Sequence, residues 1–103
     1  MSSEASLDRA LHAIADPTRR RILLVLKEGG ESKTPAPKHI HASCLCGGDI
    51  EERIRLSQPT ISHHMGILTK AGLVEAKKHG QWRWYRRNET AIRQVVKMLK
   101  GKL

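Results

Sequence analysis

The chain has 103 residues, 39% of them hydrophobic and none of them phenylalanine, and it carries a formal net charge of +9. A chain of this length forms about one domain, which we expect to span residues 1–103. Its hydrophobic core should be thin, and a partner subunit would help to close it. No apolar run approaches the ~20 residues of a membrane span, and the first residues lack the apolar core of a signal peptide. We therefore expect a cytoplasmic protein whose two cysteines stay reduced.

Two short helices are predicted at the start of the chain. The first has an apolar stripe at helical spacing that needs a surface to lie against, made of Leu7, Leu11 and Ile14. Asp16 and Pro17 end this helix and begin the next, because Asp is a good N-cap and Pro suits the first helical position. The second helix ends at Gly29-Gly30, and its inner side is expected to carry Ile22, Leu23 and Leu26.

A loop insertion is predicted over residues 31–48, where the sequence has no apolar period and several Gly and Pro breakers. Loops this long in compact domains are often functional or mobile. The insertion contains the sulfur and imidazole side chains of Cys44, Cys46, His39 and His41.

A helix-turn-helix is predicted to follow the loop. Asp49 is expected to cap a third helix that buries Ile50 and Ile54, and Ser57 to cap a fourth after a tight turn. Gly72 supplies a left-handed stop for the fourth helix, whose inward stripe is Ile61, Met65 and Leu68. Two short helices joined by so few residues form a helix-turn-helix.

A β-hairpin and a last helix complete the predicted fold, which is mainly α. The apolar period changes to two in residues 73–77 and 82–86, which flank a turn over 78–81. Asn88 can cap the final helix, whose apolar positions are Ile92, Val95, Val96 and Leu99. Residues 70–103 carry ten Lys and Arg against two Asp and Glu, which favours a polyanionic partner at this end.

The polar face of the fourth helix is the candidate DNA-reading surface. If its apolar stripe points inward, the opposite face presents short polar side chains suited to a major groove, and Gln58 can pair with adenine. The helix contributes the candidate DNA contacts Ser57, Gln58, Thr60, Ser62, His63 and Lys70. The hairpin adds Lys77, Lys78 and Arg83, expected on phosphate or in the adjacent minor groove. His64 is expected to pack against the fold, as are the hairpin aromatics Trp82, Trp84 and Tyr85.

Four segments of the chain resemble the ArsR/SmtB family of bacterial winged-helix repressors: residues 15–23, 56–65, 70–74 and 84–86. They span nearly the whole chain in the family's order, and the run from Ser57 to His64 is specific. The resemblance implies a winged helix-turn-helix with five helices and a wing, and a homodimer joined through the first and last helices. It also implies that the dimer binds an inverted-repeat operator in double-stranded DNA, is released by an inducer, and reads bases with Gln58, Ser62 and His63.

The inducer is left open by the sequence. Cys44-Leu45-Cys46 resembles the Cys-x-Cys with which arsenic-sensing members hold a trivalent metalloid such as arsenite or antimonite, although Gly47-Gly48 intervene here before the expected Asp. With His39 and His41 added, the pattern suggests a zinc site. A thiol redox switch and a loop without any ligand are the alternatives. The family's zinc site along the last helix is absent, because no His follows His79 and no Asp follows Asp49.

Two other function classes compete with the repressor. An enzyme is disfavoured for two reasons. The hydrophobic core is too small to enclose an active-site pocket, and the candidate metal ligands or nucleophiles lie in a Gly/Pro-rich loop. A nonspecific nucleic-acid-binding protein is favoured by charge alone. A sequence-specific protein would differ from it by keeping its site in the presence of excess random DNA.

Overall fold

The computed structural model describes residues 3–41 and 43–103. Over these residues the chain forms helices α1 to α5 and strands β1 to β3. The helices are α1 (Ser3–Ile14), α2 (Pro17–Glu28), α3 (Gly47–Ile54), α4 (Gln58–Lys70) and α5 (Glu89–Lys102). The strands are β1 (Leu45–Cys46), β2 (Val74–His79) and β3 (Trp82–Arg87). None of the described helices is long and apolar enough to span a membrane.

The ends of three helices lie where capping residues predict them. The Asp16 carboxylate accepts a hydrogen bond of 3.1 Å from the Arg19 backbone N–H at the start of α2. The Asn88 side chain accepts one of 3.1 Å from the Ala91 N–H at the start of α5. Gly29 ends α2 with φ 67° and Gly72 follows α4 with φ 77°, in the left-handed region that glycine reaches without a steric penalty. These predictions are confirmed.

The main core lies between the helices and one face of the sheet. It includes Ile22 and Leu26 from α2, Ile50 from α3, and Tyr85 from β3. Of the stripe predicted on α1, Leu7 is buried, together with Ala10 and Ala13, whereas Leu11 is 36% exposed and lacks the covering surface that the stripe was expected to need. Two alanines let α1 approach its neighbours closely, which turns Leu11 away from the core of this subunit.

The predicted loop over residues 31–48 is too long, because its end forms a strand and the start of a helix. Leu45 and Cys46 pair antiparallel with Tyr85 and Trp84 at the edge of β3, giving the strand order β1-β3-β2. A strand of two residues has no periodicity to read in a sequence, and the partner strand that makes it possible lies about 40 residues further along the chain.

The far face of the sheet carries a second, smaller core beneath the loop. Ile40, Cys44, Cys46 and Trp84 pack together there, and Trp84 is 1% exposed. Side chains alternate across a strand, so Leu45 joins the main core while its two cysteine neighbours face this cluster. The loop therefore has a structural role, which is to cover the indole of Trp84.

Asp49 ties the loop to α3. Helix α3 begins at Gly47, so the prediction that Asp49 caps it is wrong; Asp49 is instead its third residue. Its carboxylate accepts hydrogen bonds from the Cys46 N–H (2.9 Å), the Ser32 hydroxyl (2.6 Å) and the Lys33 N–H (3.1 Å). Burial alone would raise the pKa of Asp49, but these hydrogen bonds outweigh it and lower the pKa below its usual value.

Replacing Asp49 by alanine is expected to lower the free energy of unfolding by about 3 kcal/mol, since hydrogen bonds to a charged group contribute ~1.5–3 kcal/mol each and are not additive. Because the pKa of Asp49 is lowered on folding, its contribution is present above the unfolded value of about 3.9 and is lost as the pH falls below it. Urea unfolding at pH 7 and in steps below pH 4 would measure both effects. Glu52→Ala, which removes an exposed acid of the same helix, should cost about 1 kcal/mol or less.

The hairpin is longer and tighter than predicted. Its turn is Gly80-Gln81 alone, with φ 61° at Gly80, so Lys78 and His79 belong to β2 rather than to the turn. Six residue pairs join the strands, from Val74 with Arg87 to His79 with Trp82. The longer strands carry the basic side chains further from the body of the domain.

Candidate nucleic-acid interface

Helix α4 presents a polar face to solvent. Its inward stripe is buried as predicted, with Ile61, Met65 and Leu68 exposed by 3%, 1% and 0%. On the other side, the side chains of Gln58, Pro59, Ser62, His63 and Lys70 are exposed, and Gly66 and Thr60 are half-buried. The orientation that the helical period predicts is therefore observed, and contact of this face with DNA stays a prediction.

Ser57 precedes α4 at the capping position but does not cap it with its side chain. Its hydroxyl lies 2.9 Å from the Thr60 hydroxyl instead, while its carbonyl accepts the hydrogen bond of the Ile61 N–H. Ser57 is thus the N-cap residue of α4, as predicted, but its hydroxyl pairs with that of Thr60 and not with a backbone N–H of the helix. Both remain at the exposed N-terminal end of α4, where the positive end of the helix dipole lies.

A buried arginine fixes the position of α4. Arg19 is 7% exposed, and its guanidinium donates to the carbonyl oxygens of Ala13 (2.6 Å) and His12 (3.1 Å) at the end of α1. A third nitrogen lies 3.2 Å from Nδ1 of His64 on α4. His64 is thus half-buried and hydrogen-bonded, as predicted. No role was predicted for Arg19 from the sequence. The signal that could have indicated its burial is that this charged residue lies within the apolar period of α2.

The wing, defined as β2, β3 and their turn, lies beside the start of α4. The side chains of Lys77, Lys78 and Arg83 are exposed on it. Between wing and helix runs a groove of about 390 Å³, which Gln58, Ser62 and Trp82 help to line. Trp82 is 39% exposed, so its prediction as a packing residue is wrong, whereas Trp84 and Tyr85 are buried as predicted. Trp82 pairs with His79 next to the turn.

The side chains proposed for metal binding do not meet in one place. Cys44 and Cys46 share the small core, 9% and 0% exposed, and the Cys46 thiol donates to the Thr34 hydroxyl at 3.5 Å. Burial raises the pKa of the Cys44 thiol, with a smaller opposing effect of the Arg86 guanidinium. His41 pairs with the Ser43 hydroxyl at 2.7 Å. Within residues 3–41 and 43–103, no three His, Cys, Asp or Glu side chains are grouped so as to hold a metal ion.

Helices α1 and α5 leave apolar side chains uncovered. Within Glu89–Lys102 no side chain is buried, and Val96 is 48% exposed. Leu11 on α1 and Leu24 on α2 are 36% and 54% exposed. Lys102 on α5 forms an ion pair with Glu4 on α1, so the two terminal helices lie side by side. Leu11 on α1 and Val96 on α5 are therefore apolar side chains that face solvent in a single subunit.

Comparison with known proteins identifies the family. Residues 42–76 match the family model of bacterial regulatory proteins of the arsR family. An uncharacterized HTH-type transcriptional regulator of Methanocaldococcus jannaschii is 37% identical over 84% of this chain and 83% of that protein. The chain belongs to the arsR family. The transcriptional repressor SdpR of Bacillus subtilis is 34% identical over 87% of this chain and 84% of its own length. The arsenical resistance operon repressor of Staphylococcus aureus is 31% identical over 94% and 80%.

Solved structures of the arsR family share the fold. An ArsR-like transcriptional regulator from a Rhodococcus species superposes with a TM-score of 0.74 at 24% identity, over 98% of this chain and 82% of that one. The homodimeric winged helix-turn-helix DNA-binding domain of a possible ArsR-family regulator from Mycobacterium bovis gives 0.69 at 21% identity, over 99% and 87%. The predicted winged helix-turn-helix with five helices and a wing is confirmed. As its relatives are, this arsR-family chain is a DNA-binding transcriptional regulator and not an enzyme.

Proposed function

We propose that this arsR-family regulator is a repressor that binds an inverted-repeat operator as a homodimer, with α4 of each subunit in the major groove. The observation that carries the proposal is the outward polar face of α4, flanked by a basic wing. A helix presenting short polar side chains fits a major groove, and a helix-turn-helix dimer reads two half-sites about 10 base pairs apart.

Exposed apolar side chains on α1 and α5 support the homodimer. A second subunit that covers Leu11 and Val96 would give these side chains the burial that one subunit cannot provide. The homodimeric Mycobacterium bovis domain has the same fold, which favours the same mode of assembly. A two-fold dimer matches a palindromic DNA site.

The interface residues divide into two roles. We assign base reading to Gln58, Ser62 and His63, because they lie on the exposed face near the start of α4. Lys77, Lys78 and Arg83 of the wing bind phosphate, which fixes the position of the dimer on the duplex. Ser57, Thr60 and Lys70, at the two ends of α4, contact the backbone that borders the groove.

Selection of binding sites from random duplexes tests the proposal. The dimer should enrich an inverted repeat and hold it against random DNA with a preference of ~10³-fold or more. Selection without any consensus, with equal affinity for all duplexes, would instead support a nonspecific nucleic-acid-binding protein.

Two substitutions separate base reading from phosphate binding. His63→Ala should weaken operator binding by about 1–3 kcal/mol and relax the preference for the base it faces. Lys78→Ala should weaken binding to all duplexes alike and reduce the slope of log K against log salt by about 1 for each subunit, or about 2 for the dimer. Binding titrations on operator and random duplexes at several salt concentrations measure both. A uniform loss for His63→Ala would remove it from the base-reading set.

A soft metalloid or metal ion at Cys44 and Cys46 is the inducer that we propose. Thiolates suit such ions, and both thiols face one cluster next to the first residue of α3, so an ion there would act on the helix-turn-helix. A relative that spans most of the chain is named an arsenical resistance operon repressor, which favours the same class of inducer. Both thiols are buried, so the loop must open before an ion enters.

Replacing Cys44 and Cys46 together by serine tests the inducer. Operator affinity should stay within about twofold of the wild type, because neither side chain lies on the DNA-facing surface, whereas arsenite and antimonite should no longer release the dimer. Zinc and the oxidant diamide serve as comparison treatments. Release by arsenite that survives the double substitution would refute the site, and release by diamide alone would favour the thiol redox switch.

A further inference from the structure

Two histidines from distant parts of the sequence meet between the loop and the wing. The imidazole rings of His39, in the loop, and His79, at the end of β2, have their centroids 4.8 Å apart and their planes inclined by 59°. Both side chains are exposed. The pair differs from the set predicted on the sequence, in which His39 was grouped with His41 and the cysteines.

The spacing of the rings suits a shared metal ion. Zn–N bonds are about 2.0–2.1 Å long, so two imidazoles on one tetrahedral ion hold their centroids roughly 5 Å apart. Two parallel, stacked rings could not direct their nitrogen atoms at one ion. The rings of His39 and His79 are inclined to each other, not parallel. His39 also lines a cleft of about 620 Å³ between loop and wing, which leaves room for water to complete the coordination.

Other side chains near the pair do not offer a better set of ligands. Cys44, which lines the same cleft, is buried with a raised thiol pKa, and the His41 ring already pairs with Ser43. Glu75, which also lines the cleft, is held in an ion pair with Arg86 at 2.9 Å. Lys38 and Lys77 line it too; their positive charge weakens a cation site but does not compete for the ion.

We propose that His39 and His79 form a site for a borderline divalent transition-metal ion, of which Zn²⁺ is the example, with water as the remaining ligands. The ion would join the loop that covers the small core to the strand that leads into the wing turn. Its binding would hold the wing in one position relative to the rest of the domain, separately from any ion at the cysteines.

The site can be tested without DNA by titrating zinc into the free protein in competition with a chromophoric chelator. The titrations use a Cys44→Ser/Cys46→Ser background, so that the thiols cannot serve as ligands. His39→Gln and His79→Gln should each weaken Zn²⁺ binding at least ~10-fold, because even changes to residues around the ligands cost ~10–100-fold in metal affinity. The double variant should lose little further affinity, because each single substitution already breaks the shared site. Adding Zn²⁺ should slow amide hydrogen exchange in the wing turn when both His39 and His79 are present, and should not slow it in the His→Gln variants.

Two matched variants make the result decisive. His12→Gln, which removes an exposed histidine on α1, should leave zinc binding unchanged. His41→Gln should also leave it unchanged. A loss for His39→Gln and His41→Gln without a loss for His79→Gln would place the ion in the loop alone and overturn the proposal. Zinc binding that none of these substitutions alters would overturn it as well.

Discussion

Replacing Arg19 by alanine should lower the free energy of unfolding by about 3–5 kcal/mol and weaken DNA binding in the protein that still folds. The guanidinium is 7% exposed, hydrogen-bonds two carbonyl oxygens at the end of α1 and the ring of His64 on α4, and lies 3.9 Å from the Asp16 carboxylate. Its removal takes the side-chain donor from the Ala13 carbonyl, leaves the His12 carbonyl with the Ala15 N–H alone, and leaves a void beside α4. Helix α4 then loses the polar link that joins its His64 to the end of α1.

Chemical unfolding and operator titration of Arg19→Ala measure the two effects. Arg20→Ala is the matched control, because Arg20 is the next residue, is exposed and donates to one carbonyl only, that of Ile14. We expect this control to cost about 1 kcal/mol or less. Equal effects of the two substitutions would show that burial of Arg19 does not position the reading helix.

A glutamate at position 96 should convert the dimer to a monomer. Val96 is 48% exposed on the outer side of α5, so a single subunit tolerates the substitution, whereas a dimer would have to bury two unpaired carboxylates. Operator affinity should fall by about 10²–10⁴-fold, because a monomer binds one half-site without the gain from linking two.

Analytical ultracentrifugation and operator titration of Val96→Glu measure these outcomes. Gln94→Glu adds the same charge at an exposed position of the same helix and should leave the dimer intact. A Val96→Glu protein that sediments as a dimer with unchanged affinity would exclude this part of α5 from the interface.

Helices and their ends could be predicted because local chemistry determines them. The cap at Asp16 and the left-handed glycine after α4 each act within a few residues, and the stripe of Ile61, Met65 and Leu68 has a full helical period. The orientation of α4 followed from that stripe alone. The candidate DNA surface could therefore be predicted from the sequence, because it is the polar face of α4 opposite the apolar stripe.

Features that depend on distant partners could not be predicted. Strand β1 exists because it pairs with β3, and the loop is packed because Ile40 and Cys44 cover Trp84. Asp49 was expected to cap α3 by itself, yet its partners Ser32 and Lys33 lie in the loop. Likewise, nothing near His39 in the sequence pointed to His79.

The central claim is that the outward face of α4 and the wing bind the operator. Backbone amide shifts of the isotope-labelled dimer, recorded with and without a selected operator duplex, test it most directly. We expect the largest changes at Gln58, Ser62 and His63 and at Lys77–Arg83 of the wing, with small changes along α5. Changes concentrated on α5 or α1, with α4 unperturbed, would contradict it.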